Sequence, residues 1–459
     1  MNIERQSIMS TMSAWTRRDF LRGMAGAAAL GPHVVTRGVR AQGRTVRHAS
    51  IGSAGMALSD MKSFAKHPAF ELVAVADVDL CLAAGIQEQF PRARIYQDWR
   101  ELLDKEEGQI DSVNVSTPDH MHAAIALEAI RRNKHVYVQK PLTTTIEEAR
   151  VVAKQARRRG IVSQMGIQIS SSVPQRLGEA LAQSGIVGKI REVHAFCEKS
   201  WGWEEPLPTT GDPVPPALDW DLWLGVAETR PFIREAYHPG QWRRHVGFGT
   251  GTLGDMGCHI FSPPYRALAL TSPTTITSHG PQPTRESWAT RARIHYIFPG
   301  TRYTAAETLD FWWYDGGETA PETLLTAIGP ERIPKTGVVF VGTDGFVVLP
   351  HVEEPFILPE AKALEAKPLV ERTQAGLAPR DHYGEFLDAV LAGGRTQPST
   401  NVSYATPLTE TVLLGDVAAW FPGETLDYDS RAMRFATKRA ADAHLRRSYR
   451  SGWKPEELS

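Results

Sequence analysis

The chain has 459 residues, more than one ordinary core absorbs, and its apolar fraction of 42% supports full burial of two domains. Its 51 Lys and Arg against 52 Asp and Glu leave no whole-chain field to draw in nucleic acid or an anionic membrane surface, so neither is expected as a partner. Three widely spaced cysteines, Cys81, Cys197 and Cys258, form neither a disulfide framework nor a CxxC metal site; they read as buried thiols, and no metal is expected.

Near the start, Thr16-Arg17-Arg18-Asp19-Phe20-Leu21 precedes a mild Ala/Gly run that ends near Val35 and is too short to span a bilayer. The paired arginines resemble a bacterial twin-arginine signal, with Ala41 as a poor small-residue cleavage position; the plainer alternative is a disordered basic tail. Residues 1–43 are therefore expected to be signal and linker, and the protein to be periplasmic or otherwise extracytoplasmic. Proteins on that route leave already folded, so a cofactor would be loaded before departure.

Residues 44–166 alternate short β-branched runs with helical periods. Strands are expected at 45–51, 71–76, 110–115, 134–139 and 161–165, with helices from Leu58 to His67, Leu80 to Gln89, His122 to Arg132 and Ile146 to Arg158. Such alternation implies a Rossmann-type, doubly wound parallel sheet, with ligands at the carboxyl ends of its strands. The first turn, Gly52-Ser53-Ala54-Gly55-Met56-Ala57, is a degenerate G-x-G-x-x-G in which Ala54 stands where backbone must approach a pyrophosphate; its methyl is expected to push the phosphates or to shift their seat to Gly55. Asp77 follows Gly52 by roughly 25 residues, the spacing of a carboxylate on an adenosine ribose. No arginine follows it, so NAD is expected over NADP, the alternative being that Asp77 caps a helix. Two further strand-end loops, Ser116-Thr117-Pro118-Asp119-His120-Met121-His122 and Tyr137-Val138-Gln139-Lys140-Pro141-Leu142, complete the expected cofactor rim.

From about residue 167 to 459 the pattern changes to antiparallel strands, at Ile190 to Glu198, Thr274 to Ser278, Arg291 to Phe298, Tyr303 to Thr308 and Gly337 to Leu349. They imply a second α/β domain with a large, mainly antiparallel sheet. The Pro- and Trp-rich stretch from Trp201 to Trp223 reads as a long functional loop, its indoles free to stack on sugars or to pack. Asp255 and His259, spaced i, i+4 on a helix after the lead-in Gly247-Phe248-Gly249-Thr250-Gly251, would face one side, with the glycines letting backbone approach a ligand. Asp381 to Leu391 and Thr406 to Trp420 look helical, and the basic stretch Arg431 to Arg450 reads as an exposed helix or arm. His120, His122, Asp255 and His259 lack the third carboxylate that would make them a metal site.

The two strand-end loops, together with Gly254-Asp255-Met256-Gly257-Cys258-His259, resemble the glucose-fructose oxidoreductase, inositol dehydrogenase and MocA family. The usual Glu-Lys-Pro is here Gln139-Lys140-Pro141. The likeness extends through Tyr383-Gly384-Glu385-Phe386, Leu408-Thr409-Glu410 and Tyr449-Arg450-Ser451-Gly452-Trp453, pieces similar to the exported branch. It implies Lys140, Asp255 and His259 as catalytic residues, and a cofactor site of Gly52, Ala54, Gly55, Met56, Asp77, Ser116, Thr117, Pro118, His122, Gln139 and Lys140. His122 then lies beside the nicotinamide, whereas His120 is expected to be exposed. A lysine at a strand end cut by proline can hydrogen-bond a substrate hydroxyl and favour its alkoxide; His259 would take the proton because imidazole titrates near working pH, with Asp255 orienting sugar or imidazole.

An exported member has no free nicotinamide pool, so its NAD must be held and recycled in place. Two reactions satisfy this: an oxidoreductase acting on a sugar, polyol or glycoside hydroxyl, or a glycoside hydrolase of the family 109 type that oxidises transiently. A non-catalytic dinucleotide- or sugar-binding protein is the third reading. The family resemblance also implies a homo-oligomer paired through the open sheet.

Overall fold

Six short, buried runs form the first sheet of the computed structural model, which describes residues 43–459; the twin-arginine segment and Ala41 lie outside the described residues. β1 (Val46–Ile51), β2 (Phe70–Ala76), β3 (Arg94–Tyr96), β4 (Ser112–Val115), β5 (His135–Val138) and β6 (Ser163–Met165) pair in the order β3-β2-β1-β4-β5-β6, every pair parallel. Parallel pairing needs both faces covered, which explains why β4 is buried along its whole length. The crossovers are α1 (Met56–Phe64), α2 (Trp99–Lys105), α3 (His122–Arg131) and α4 (Ile146–Arg158), the last opened by a Thr145–Glu148 capping box. The helix expected from Leu80 to Gln89 is two short helices, Leu80–Ala83 and Ile86–Gln89, parted at Gly85. Neither β3, three residues at the sheet edge, nor α2 was expected.

After α5 (Val173–Gln183) comes a nine-stranded sheet, built from β7 (Ile190–Cys197), β8 (Thr275–Ser278), β9 (Arg293–Pro299), β10 (Thr308–Asp315), β11 (Gly337–Gly342), β12 (Phe346–Pro350), β13 (Phe356–Leu358), β14 (Thr425–Asp429) and β15 (Arg434–Phe435). Its order is β13-β12-β11-β7-β10-β9-β8-β14-β15, antiparallel except for β7 and β10. Three expectations are corrected here. The strand placed at Tyr303 to Thr308 is a turn, because the Thr304 hydroxyl accepts from the Thr301 amide and donates to the Thr301 carbonyl oxygen, while the Thr301 hydroxyl accepts from the Tyr303 amide; the strand starts at Thr308 and carries the buried Phe311 and Trp313. The run from Gly337 to Leu349 is a hairpin that turns through Thr343, Asp344 and Gly345. The Arg431 to Arg450 stretch is a packed tail: Ala441 and Leu445 are buried, Arg446 pairs with Glu147, and Arg450 with Asp221.

Four further helices follow: α6 (Gly251–Ala267), α7 (Glu360–Gly376), α8 (His382–Leu391) and α9 (Val402–Ala419). α6 packs on α5 and α9, and α9 on α4. α8 returns to the first sheet, where Phe386, Leu387 and Val390 share a core with Val46, Phe64 and Tyr137. Among the described residues no helix is long and apolar enough to cross a membrane, and no cluster of three His, Cys, Asp or Glu side chains is arranged to hold a metal. Cys197 and Cys258 are buried as expected, but Cys81 is exposed.

Candidate functional site

The turn after β1 opens a cleft of about 460 Å³ along the carboxyl ends of the strands. Gly52 has φ 104° there, and a Cβ on it would lie 2.6 Å from the Ser116 carbonyl oxygen, so the turn can seat against the β4 loop only as glycine. Gly55, at φ 55°, leads into α1 and has nothing within 4 Å of its would-be Cβ. Gly55 thus leaves open space at the N-terminus of α1, beside the cleft, where a pyrophosphate fits. Ala54 and Met56 line the same opening.

Asp77 ends β2 and faces this cleft. Its Oδ2 accepts from the Ser53 amide at 2.9 Å and the Ser53 hydroxyl at 2.6 Å, and its Oδ1 from the Asp79 amide at 3.0 Å. Burial pushes its carboxyl above the usual range, against the pull of those donors and of His238. The helix cap is Asp79, not Asp77. Asp79 also accepts from His238 Nε2 at 2.9 Å. That contact, with Asp219 N donating to Val78 O and Leu80 N to Ala217 O, straps the later chain across the β2 end of the cleft. Trp223, His238 and Arg243 form the facing wall.

The remaining rim residues divide between the cleft and the interior. Thr117, Pro118 and His122 line the cleft, and the His122 ring nitrogens lie 2.8 and 3.1 Å from the Pro141 and Thr117 carbonyl oxygens. Those two acceptors favour a charged ring, but burial wins and holds the pKa to about 4. His122 therefore ties two rim loops together. His120, expected to be exposed, is buried with Nε2 3.0 Å from the Trp223 carbonyl oxygen and its ring against Trp223 and Phe248; the aromatic residues of the later loop cover it. The Ser116 hydroxyl turns inward, donating to Asp60 Oδ2 at 2.7 Å. Gln139, the departure from Glu-Lys-Pro, donates its Nε2 to both Asp60 oxygens at 3.0 and 2.9 Å, and Tyr383 of α8 donates to Asp60 at 2.8 Å. With only neutral donors around it, burial pushes Asp60 up to about 6.

Lys140, Met56 and Arg243 line this cleft and also a second cavity of about 940 Å³. At their junction Lys140 Nζ donates to Asp255 Oδ1 at 2.6 Å. Asp255 is buried on α6 and also accepts from Trp201 Nε1 at 2.8 Å, Lys199 Nζ at 3.2 Å and Arg243 Nε at 3.2 Å. Burial alone would raise its carboxyl, yet Lys140, Arg243 and Lys199 together hold it far below the usual carboxylate range. His259, one turn along α6, lines the same cavity without bonding either partner. Its Nδ1 is buried and unpartnered, and burial, then Lys140 and His351, push the imidazole well below its ordinary value. Asp255 thus orients cations and not the imidazole, and His259 is a neutral ring and not one titrating near working pH. The glycines leading into α6 also serve packing: a Cβ on Gly249 would meet Arg243 backbone at 2.6 Å, and one on Gly251, the first residue of α6, would meet Trp288 at 3.0 Å.

Lys199, Arg243 and Asp60 had no sequence signal, and Asp119 was legible only as a member of the loop after β4. Asp119 is buried beside Arg243 and Lys140, accepts from Thr250 at 2.8 Å and is pushed up to about 7 by burial. The Trp201 to Trp223 stretch splits by role: Trp201 serves Asp255, whereas Trp220 and Trp223 stack at 4.6 Å in a core with Tyr237.

Two profiles of one oxidoreductase family match, the NAD-binding Rossmann fold at residues 46–167 and the C-terminal alpha/beta domain at residues 181–303, together over half of the chain. A levoglucosan dehydrogenase of Pseudarthrobacter phenanthrenivorans is 25% identical over 40% of this chain and 40% of its own length. An alpha-N-acetylgalactosaminidase of Shewanella oneidensis is 26% identical over 36% of this chain and 38% of its own. The matched stretches thus span less than half the length of these curated relatives. The WlbA dehydrogenase of Bordetella pertussis, solved with NADH and UDP-GlcNAcA, superposes with a TM-score of 0.58 at 16% identity, covering 84% of this chain and 99% of that one; at that identity the likeness is one of fold.

Proposed function

The chain belongs to the Gfo/Idh/MocA oxidoreductase family, and from that premise we propose that it oxidises a carbinol of a sugar, polyol or glycoside with NAD seated in the strand-end cleft. The observation that carries this reading is the place of Lys140, which lines both cavities and is held by Asp255. Bound NAD supplies the acceptor for the hydrogen on the carbinol carbon. The Lys140 ammonium donates to the substrate oxygen and favours its negative charge. The neutral His259 ring, whose Nδ1 is unpartnered, accepts the hydroxyl proton. Asp77 accepts from a ribose hydroxyl and repels a ribose phosphate, which supports NAD over NADP. The test is to load the full chain with NAD, add a panel of sugars and polyols, and follow the absorbance of reduced nicotinamide. Reduction by at least one carbohydrate is expected, and none across the panel would sink the reading.

The similarity to an alpha-N-acetylgalactosaminidase supports a second reading, redox-neutral glycoside hydrolysis. Product analysis separates the two: an oxidised sugar against a released aglycone. Export by the twin-arginine route is part of the proposal and rests on Arg17 and Arg18 alone. Fractionating cells that make the full chain and its Arg17→Lys/Arg18→Lys variant tests it, and variant protein still outside the cytoplasm would refute it. Closed-cycle use of NAD predicts near-stoichiometric dinucleotide in dialysed, denatured protein. Two copies pairing through the nine-stranded sheet complete the proposal, and a single-chain mass by light scattering would refute the pairing.

A further inference from the structure

Three cations meet one carboxylate at the inner end of the second cavity. Lys140, Lys199 and Arg243 have Asp255 as their shared ion-pair partner. The cavity's other charged groups, Glu331, Glu353, Arg332 and Lys335, balance two against two, while Glu198 stands beside Lys199 in sequence without pairing to it. His259 and His351 are both held toward the neutral form by burial and by these cations, and so add no charge of either sign. Asp119 lies behind Lys140 and Arg243, outside the lining, with its ionised form disfavoured by burial. Unused donors point to the same place. Arg243 spends Nε on Asp255 and makes only a 3.5 Å contact from Nη1 to the Gly240 carbonyl oxygen, leaving Nη2 without a partner among the described residues. Lys199 is about half exposed, and its contacts beyond Asp255 reduce to the Met256 sulfur.

Resting on the reading that this cavity takes the oxidised carbohydrate, we propose that the substrate is a sugar acid whose carboxylate sits between Lys199 and Arg243. The charge arithmetic selects one negative group. Five cations, Lys140, Lys199, Arg243, Arg332 and Lys335, face four carboxylates, Glu198, Asp255, Glu331 and Glu353, so a single positive charge is left over, which suits a monoanion better than a phosphate dianion. A neutral sugar would leave that charge and the Arg243 Nη2 donor without a partner on the substrate.

The test is equilibrium binding to the NAD-loaded full chain, by calorimetry, of a panel of hexuronates, their parent hexoses and the matching hexose 6-phosphates. At least one hexuronate should bind about tenfold or more tighter than its parent hexose, and tighter than the phosphate, with the advantage shrinking at high salt. Lys199→Met should reduce that ratio to about one, and Lys199→Arg should restore it. Hexoses or phosphates binding as tightly, or a ratio indifferent to Lys199→Met, would overturn the proposal. The two readings fail separately: uronates that bind without reducing NAD contradict the reaction, and NAD reduction by neutral hexoses with no charge preference contradicts the carboxylate site.

Discussion

Asp60 and Asp255 are both buried carboxylates, and they stand on opposite sides of the Gln139–Lys140 rim. Asp60, in the interior behind the cleft rim, takes hydrogen bonds only from neutral groups and is pushed up to about 6. Asp255, on the cavity side, meets three cations and stays ionised far below the usual range. Burial penalises both charges alike, so the difference comes from the partners. It marks the two regions apart: the cofactor side is knitted by backbone turns and neutral hydrogen bonds, and the substrate side is a charged cluster gathered from separate segments.

Removing Asp255 should have the largest effect. Asp255→Asn leaves three cations without their shared anion, and should cost about 3 kcal/mol in urea unfolding along with most of the turnover. Because its folded pKa lies below the unfolded value of about 3.9, its stabilisation is present above that pH and lost below it, so the gap between wild type and variant should close as pH falls under about 4. A gap independent of pH would contradict the ion-pair account.

Asp60 should behave oppositely. Its folded pKa of about 6 exceeds the unfolded value, so ionising it costs stability as pH rises from about 4 to about 6. Asp60→Asn should remove that decline, gaining on the order of 2 kcal/mol relative to wild type across the interval. Other buried groups titrate there in both proteins, Asp119 included, so the difference between the two unfolding curves is the readout. A difference that does not grow with pH would place Asp60 among ionised, paired carboxylates.

On the cofactor side alone, Asp77→Ser should narrow the preference for NAD over NADP by about tenfold in titrations of stripped protein. An unchanged ratio would move the ribose contact elsewhere. The smallest effect is expected from Trp201→Phe, which keeps the aromatic ring but removes one donor to Asp255; KM should rise roughly 3-fold with kcat little changed. A collapse of kcat would make Trp201 part of the chemistry.

The contrast between the regions also explains what could be read in advance. Gly52, Gly55 and Asp77 were legible because a β-strand, a turn and a helix fix them by local spacing, and Lys140 because Pro141 ends its strand. Asp255 and His259 were legible as neighbours on one helix face. Lys199 and Arg243 were not, because they reach Asp255 from a strand exit and a short 3-10 turn whose positions depend on the whole second sheet. His120 was misread for the same reason: its cover, Trp223 and Phe248, arrives from a loop about a hundred residues later. At Thr308–Asp315 the strand was displaced because local threonine bonds claimed the residues before it.

The central claim is that Lys140, at the edge shared by the two cavities, acts on the substrate and not on the cofactor's seat. It is tested most directly by single-turnover reduction of bound NAD in wild type and Lys140→Met, with NAD affinity measured on the same samples. Binding within about 3-fold of wild type and reduction slowed roughly 10² to 10⁴-fold are expected, since Asp255 keeps Arg243 and Lys199 as partners. Reduction by Lys140→Met at close to the wild-type rate would contradict the account.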